Sequence, residues 1–127
     1  MANITETIKT VFPATKVAII GDIVADQYLN GTISRVSREA PVFILRHDQT
    51  TTLPGAAANA ASNVASLGAR ACIVGVIGDD ANGKLLLERM TDIGVDVSSV
   101  VADDAASTTT KVRILAGQQH AARQQVI

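Results

Sequence analysis

The chain has almost no aromatic side chains: two Phe, one Tyr and no Trp in 127 residues. A core must therefore be built from Ala, Val, Ile and Leu. That favours helices layered on a sheet over a sandwich, and it removes the stacking platform of single-stranded nucleic-acid binders. Cysteine is nearly missing as well. The lone Cys72 cannot form an intrachain disulfide, and its place in an apolar run predicts a buried, unreactive thiol. No charge sign dominates: 11 Lys and Arg stand against 12 Asp and Glu, a net charge of -1. Without a basic stripe, broad binding to nucleic acid or to an anionic membrane is disfavoured. No apolar run reaches the ~20 residues needed to span a bilayer. Polar residues, Glu6 among them, stand where a signal peptide would need its apolar stretch. These absences predict a cytoplasmic protein with neither membrane nor nucleic acid as a partner, and they leave the sequons at Asn3 and Asn30 without weight.

Other motifs are missing too. There is no phosphate-binding Walker loop and no spaced Cys/His set, so no metal site is expected. The glycine-rich dinucleotide fingerprint is absent after the first strand, where Gly21-Asp-Ile-Val-Ala-Asp26 stands instead.

What is present is a 47% hydrophobic chain in which strand-like and helix-like segments alternate. At this length a single domain is the default. Residues 3–11 predict a short helix with Ile4, Ile8 and Val11 on one side. Lys16–Ile20 predicts a buried strand that breaks at Gly21-Asp22. The more polar segment 32–53 predicts two short strands, Val42–Leu45 and Gln49–Leu53, around His47-Asp48. A helix from about Ala57 to Leu67 stops at Gly68. A strand over Ala71–Ile77 follows, then a helix capped in Gly78-Asp79-Asp80 and closed at Gly94. Extended segments at Val95–Val97 and Ser99–Val101, a loop at 103–107, a strand over 108–115 and a last strand from Ala121 complete the pattern. The order implies βαβ units and a parallel sheet, interrupted by the 32–53 insert. The chain stops inside a strand-like run, which predicts an unfinished domain.

The Gly55–Gly68 run is the most informative stretch. Pro54-Gly55 can turn the chain, and small residues then open an alanine-rich helix with Asn59 in its first turns. Such a start suits an anion or a hydroxyl-rich ligand, or simply close packing on a sheet. Asn59 is a poor residue inside a helix unless its amide has a partner. Asp22 and Asp26 follow the first strand, where open α/β sheets bind ligands. They can accept hydrogen bonds from sugar hydroxyls or hold a metal; equally, Asp22 can cap a helix with Asp26 solvated on it. Lys111 and Arg113 share a strand face by the period of two. With Arg35 and Arg38, they are candidates for a phosphate group or for an ordinary charged surface. His47 and His120 are expected to be surface residues.

Four blocks in order resemble the ribokinase-like (PfkB-type) carbohydrate kinases, and within them the heptose-7-phosphate kinases of lipopolysaccharide-precursor synthesis. The blocks are Val17-Ala-Ile-Ile-Gly-Asp-Ile-Val-Ala-Asp-Gln-Tyr28; Ser34-Arg-Val-Ser-Arg-Glu-Ala-Pro-Val42; Pro54-Gly-Ala-Ala-Ala-Asn-Ala-Ala-Ser-Asn-Val-Ala-Ser-Leu-Gly-Ala69; and Thr109-Thr-Lys-Val-Arg-Ile-Leu115 with Gln118, Gln119 and Arg123. The resemblance implies an α/β fold: the N-terminal part of a Rossmann-like ribokinase core with a small β-sheet lid at about 32–53 and 109–127. It implies that Asp22, Asp26, Gly55, Ala56 and Asn59 lie at the sugar, with Lys111 and Arg113 at basic positions of the heptose kinases. A phosphate role for those two is inferred. It implies ATP and Mg2+ for the full-length enzyme, a sugar phosphate as substrate, phosphorylation of the anomeric hydroxyl, and a homodimer through the lid. The family's ATP-binding half and the Gly-Ala-Gly-Asp motif with its catalytic base are expected beyond Ile127. The 127 residues alone are therefore expected to hold no catalytic residue, to bind neither cofactor and to be inactive. A non-catalytic sugar-binding or dimerisation module of the same fold is the alternative. One departure stands out: the small-residue motif usually carries two adjacent glycines, and here the second is Ala56, whose methyl is expected to crowd a backbone–sugar contact.

Overall fold

A computed structural model of the chain describes residues 3–117 and 122–127. The chain divides into two compact units, Met1–Ala25 with Leu53–Thr110 and Asp26–Thr52 with Lys111–Ile127.

The first unit holds helix α1 (Ile4–Thr10), strand β1 (Lys16–Ile20), helix α2 (Ala57–Ser66), strand β4 (Arg70–Gly78), helix α3 (Ala81–Ile93) and strand β5 (Asp96–Asp103). Asn3 caps α1, its Oδ1 accepting from Thr5 N–H at 3.1 Å. The three strands form a parallel sheet in the order β1-β4-β5. Parallel neighbours need crossover connections, and α3, between β4 and β5, supplies one. The period of two sends Ala71, Ile73 and Ile77 of β4 to one face, where they are buried with Leu86 and Met90 of α3 and Ala58 and Ala61 of α2. Ile73, Leu86 and Met90 are the largest fully buried side chains. Alanines at 58 and 61 on the inner side of α2 keep little bulk between that helix and the sheet, so a core without aromatics closes.

The other face of the same sheet carries Ala18, Ile20, Cys72, Val74, Val76 and Val101 by alternation and register. Parallel sheets ordinarily have both faces covered. Here Ile20 is 79% exposed, Val76 55% and Val101 60%. Cys72 lies on this face. It is half-buried rather than buried, its Sγ 4.0 Å from Ser99 Oγ, because the strand turns it away from the helices.

The loop after β5 is fastened to the start of α3. Asp80 caps that helix with Oδ1 accepting from Gly83 N–H at 2.8 Å, while Oδ2 accepts from Thr108 N–H at 2.8 Å. The buried Thr108 Oγ1 accepts from Gly78 N–H at 3.0 Å. A side chain at Gly83 would run into the carbonyl oxygen of Gly78 and stand 2.9 Å from Thr108 Oγ1, so only glycine allows the knot to close. Gly94 then ends α3 in the left-handed conformation, at φ 93°.

Strands β2 (Ile23–Val36) and β3 (Phe43–Ala56) each begin or end in the first unit and run through the second. With β6 (Thr110–Gly117) and β7 (Gln124–Gln125) they form a four-stranded sheet in the order β3-β2-β6-β7. β6 and β7 pair antiparallel, Leu115 opposite Gln125. Several expectations change here. The residues after Asp22 are strand, not helix. The segment 43–56 is one strand rather than two, and the turn lies at 37–42, where Ser37 N–H donates to Val42 O at 2.8 Å. Pro41 sits in that turn, and His47-Asp48 is simply a polar stretch of an exposed strand. The extended segments expected at Val95–Val97 and Ser99–Val101 fall, apart from Val95, in the one strand β5, with an irregularity between Cys72 and Val74 on its partner. The last strand is shorter than expected, and Gln118, Gln119, His120 and Ala121 lie outside the described residues.

Leu86→Ala is expected to cost about 2–5 kcal/mol, because it leaves a cavity in a fully packed core; the urea midpoint should fall with little change in slope. The Asp80 carboxyl is held below its ordinary value of 3.8, first by the Gly83 N–H and then by Thr108. A depressed carboxyl contributes stability that is complete above the unfolded value and lost as pH falls through the lower folded value. The urea-midpoint gap between the native chain and Asp80→Asn should therefore be full at pH 7 and close in acid below about pH 3.8; a gap independent of pH would contradict this role.

Candidate functional site

In the first unit, β1 ends at Ile20 and the chain turns at Gly21-Asp22 before entering β2. The turn crosses β4 at Gly75, where a Cβ would stand 2.7 Å from Gly21 O and 2.9 Å from Ile23 Cδ1. Gly21 N–H donates to Val74 O at 3.2 Å, and Ala57 N–H donates to Asp22 O at 3.0 Å. Asp22 is thus fixed between the carboxyl end of β1 and the first residue of α2. With Ile20, Gly21, Ile23, Val74 and Thr109 it lines an open cavity of about 260 Å³. The exposed Asp22 carboxylate can accept hydrogen bonds from a hydroxyl-bearing ligand there.

The start of α2 follows without a break. Gly55 is buried and Ala56 exposed at the end of β3, and α2 begins at Ala57 with no side-chain cap. Ala56 has φ 50° and ψ -123° and is the one non-glycine with positive φ among the described residues. This is the conformation of the first central residue of a type II′ turn, which favours glycine. The missing second glycine of the motif therefore acts on the backbone of Ala56 itself, a reason that counting small residues does not reveal. Asn59 is exposed, and its Oδ1 accepts from Asn63 Nδ2 at 3.4 Å, a contact along the helix surface.

In the second unit, Asp26 and Tyr28 alternate along β2, and Lys111 and Arg113 along β6. These are neighbouring strands. Arg113 Nη1 donates to Asp26 Oδ1 at 2.7 Å, with the two side chains 20% and 22% exposed. The guanidinium carbon lies 5.2 Å from the centroid of the Tyr28 ring, within cation–π range. The hydrogen bond to Asp26 raises the pKa of Arg113 above its already high value. Lys111 is exposed. Arg113, grouped with Lys111 as a phosphate candidate, is held by Asp26. Asp22 belongs to the first unit and Asp26 to the second.

The same unit contains a polar cluster on Asp48. Thr32 Oγ1 donates to its Oδ2 at 2.8 Å, Arg123 Nη2 to the same oxygen at 3.0 Å, and Arg46 Nε lies 3.5 Å from Oδ1. Thr32 contributes most to holding the Asp48 carboxyl below its ordinary value, with Arg46 next. Arg123, noted in the fourth block, thus has a local structural partner. Arg35 and Arg38 are exposed, and His47 is a surface residue, 2.8 Å from Thr50 Oγ1. Sequence reasoning passed over Tyr28, though its even spacing from Asp26 on a strand would have put both on one face.

A family model described as pfkB family carbohydrate kinase matches residues 14–124. The chain belongs to that family. Among curated relatives, "Bifunctional protein HldE" of Koribacter versatilis is 41% identical over 123 residues, 97% of this chain and 25% of the relative. The protein of the same name from Azorhizobium caulinodans is 40% identical over 108 residues, 84% of this chain and 22% of the relative. The chain thus spans about a quarter of the length of these relatives. Among solved structures, Arabidopsis thaliana ribokinase complexed with ribose and ATP superposes with a TM-score of 0.61 at 25% identity, covering 89% of this chain and 35% of that one.

Replacing Ala56 with glycine should relieve the backbone. A non-glycine held in a sparsely populated region costs about 1–3 kcal/mol, partly offset by the greater freedom of glycine in the unfolded chain. Ala56→Gly is expected to gain about 1 kcal/mol in urea unfolding, whereas Ala60→Gly, inside the helix, should lose stability.

Proposed function

We propose that the chain is the sugar-binding part of a carbohydrate kinase whose acceptor is a heptose 7-phosphate, phosphorylated by ATP at its anomeric hydroxyl in the cytoplasm as a step toward lipopolysaccharide precursors. The observation that carries this reading is the position of Asp22, at the carboxyl end of β1 against the uncapped start of α2. Membership of the pfkB family and relatives named bifunctional protein HldE support it. In this reading Asp22 and Asp26 accept hydrogen bonds from sugar hydroxyls, and Gly55, Ala56 and Asn59 form the small-residue wall. Lys111 offers a point charge to the 7-phosphate. ATP and Mg2+ belong to the reaction of the whole enzyme. Among the described residues no group of three or more His, Cys, Asp or Glu side chains is placed to hold a metal, so no step is assigned through Mg2+ here. Phosphoryl transfer needs phosphate positioning, metal and a base together, and this chain is assigned only the acceptor side.

A second reading, a dimerisation module of the same fold, is favoured by one observation. Val42, just before β3, and Phe43 and Ile44 at its start are 55%, 57% and 37% exposed, all in the second unit. Neighbouring exposed apolar residues mark contact surfaces, and we assign this one to a homodimer through the lid.

Calorimetric titration of the chain with heptose 7-phosphate should show binding, weakened at least about tenfold by Asp22→Asn, because a hydrogen bond to a charged group contributes about 1.5–3 kcal/mol. An ATP-dependent assay on the same chain should give no turnover; clear turnover would refute the division of labour. Native mass measurement should give a dimer that Phe43→Asp converts to monomer. Dimer formation without any sugar affinity would favour the second reading.

A further inference from the structure

We infer that Arg113 is a positioning residue for Asp26 rather than a ligand of the substrate phosphate. The inference rests on the sugar-binding reading above. The guanidinium is engaged on two sides. Its edge donates to Asp26 Oδ1 at 2.7 Å, and its centre lies 5.2 Å from the Tyr28 ring centroid. Asp26 and Tyr28 alternate along one strand and Arg113 comes from the strand beside it, so three side chains from two paired strands close on one another. A carboxylate and a guanidinium in contact neutralise each other, so the pair attracts a distant phosphate weakly. Both side chains are about four-fifths buried, which shields the pair from water and holds it in one arrangement. A planar, forked donor keeps its orientation once engaged, as a flexible ammonium does not. The bond uses one carboxylate oxygen, Oδ1; the other, Oδ2, is set in a fixed direction for a ligand hydroxyl. Lys111 is exposed two residues earlier on the same strand, and we assign the phosphate to it.

Two probes separate the roles: heptose 7-phosphate and the same heptose without its phosphate, each titrated into the isotope-labelled chain and followed by NMR shifts. A positioning role predicts that Arg113→Gln weakens both probes by the same factor, about tenfold. Lys111→Gln should weaken only the phosphorylated probe. Arg113→Lys, which can still donate to Asp26, should restore part of the affinity for both, and it also serves if Arg113→Gln fails to fold. Adding Arg113→Gln to Asp26→Asn should cost little more than Asp26→Asn alone, since the two act as one unit. Loss confined to the phosphorylated probe in the Arg113 variants, or no loss at all, overturns the inference while leaving sugar binding intact. A native chain that binds neither probe overturns the sugar-binding reading itself, and the inference with it.

Discussion

Backbone packed directly against backbone is the constraint on which this molecule depends. The turn after β1 crosses β4 where Gly75 has no side chain, and Gly83 leaves room for the Gly78 carbonyl and the Thr108 hydroxyl. The inner side of α2 is lined by Ala58 and Ala61. The two glycine approaches bring polar main-chain groups together, and hydrogen bonds serve them, from Gly21 N–H to Val74 O and from Gly78 N–H to Thr108 Oγ1. The scarcity of aromatics follows from the same constraint. Layers this close need small and branched aliphatic side chains between them, and larger rings would hold them apart.

The placement of charge follows from the packing. Asp22 is held by main-chain contacts: its own carbonyl accepts from α2, and its side chain stays exposed at the cavity. Asp26 is held by a side chain, Arg113. Asp80 is held by backbone N–H groups from two segments and joins a helix start to a loop. Three carboxylates in one small chain thus have three kinds of environment. The first is exposed, the second keeps one oxygen outside its ion pair, and the third has both oxygens engaged.

Much of the first unit was legible in the residues. The apolar runs at Lys16–Ile20 and Ala71–Ile77 are strands, the second buried on one face and the first, against expectation, no more than half-buried, and both long helices stop within two residues of Gly68 and Gly94, because alternation and helical spacing are sharp where one face is buried. The long strands β2 and β3 were obscured. Through most of β3 both faces are exposed or half-exposed, so no apolar alternation marks them, and polar residues such as His47 and Asp48 imitate a turn. The pairing of Asp26 with Arg113 was hidden for another reason. The partners stand 87 residues apart, and spacing along the chain carries no information about contacts made across strands. Ala56 was conspicuous as a departure from a glycine pair, but its effect on the backbone needed a φ angle.

The bare face of the parallel sheet has a practical consequence. Ile20, Val74, Val76 and Val101 form a contiguous apolar surface on the folded chain, beside the open cavity at Asp22. Fluorescent dyes that report unfolding do so by adsorbing to such surfaces. Such a dye is expected to adsorb to this face of the folded chain, so thermal scans of it read by dye should begin from a high baseline. Its folding state is better followed through backbone signals, such as the far-ultraviolet ellipticity of α2 and α3, than through probes of exposed hydrocarbon.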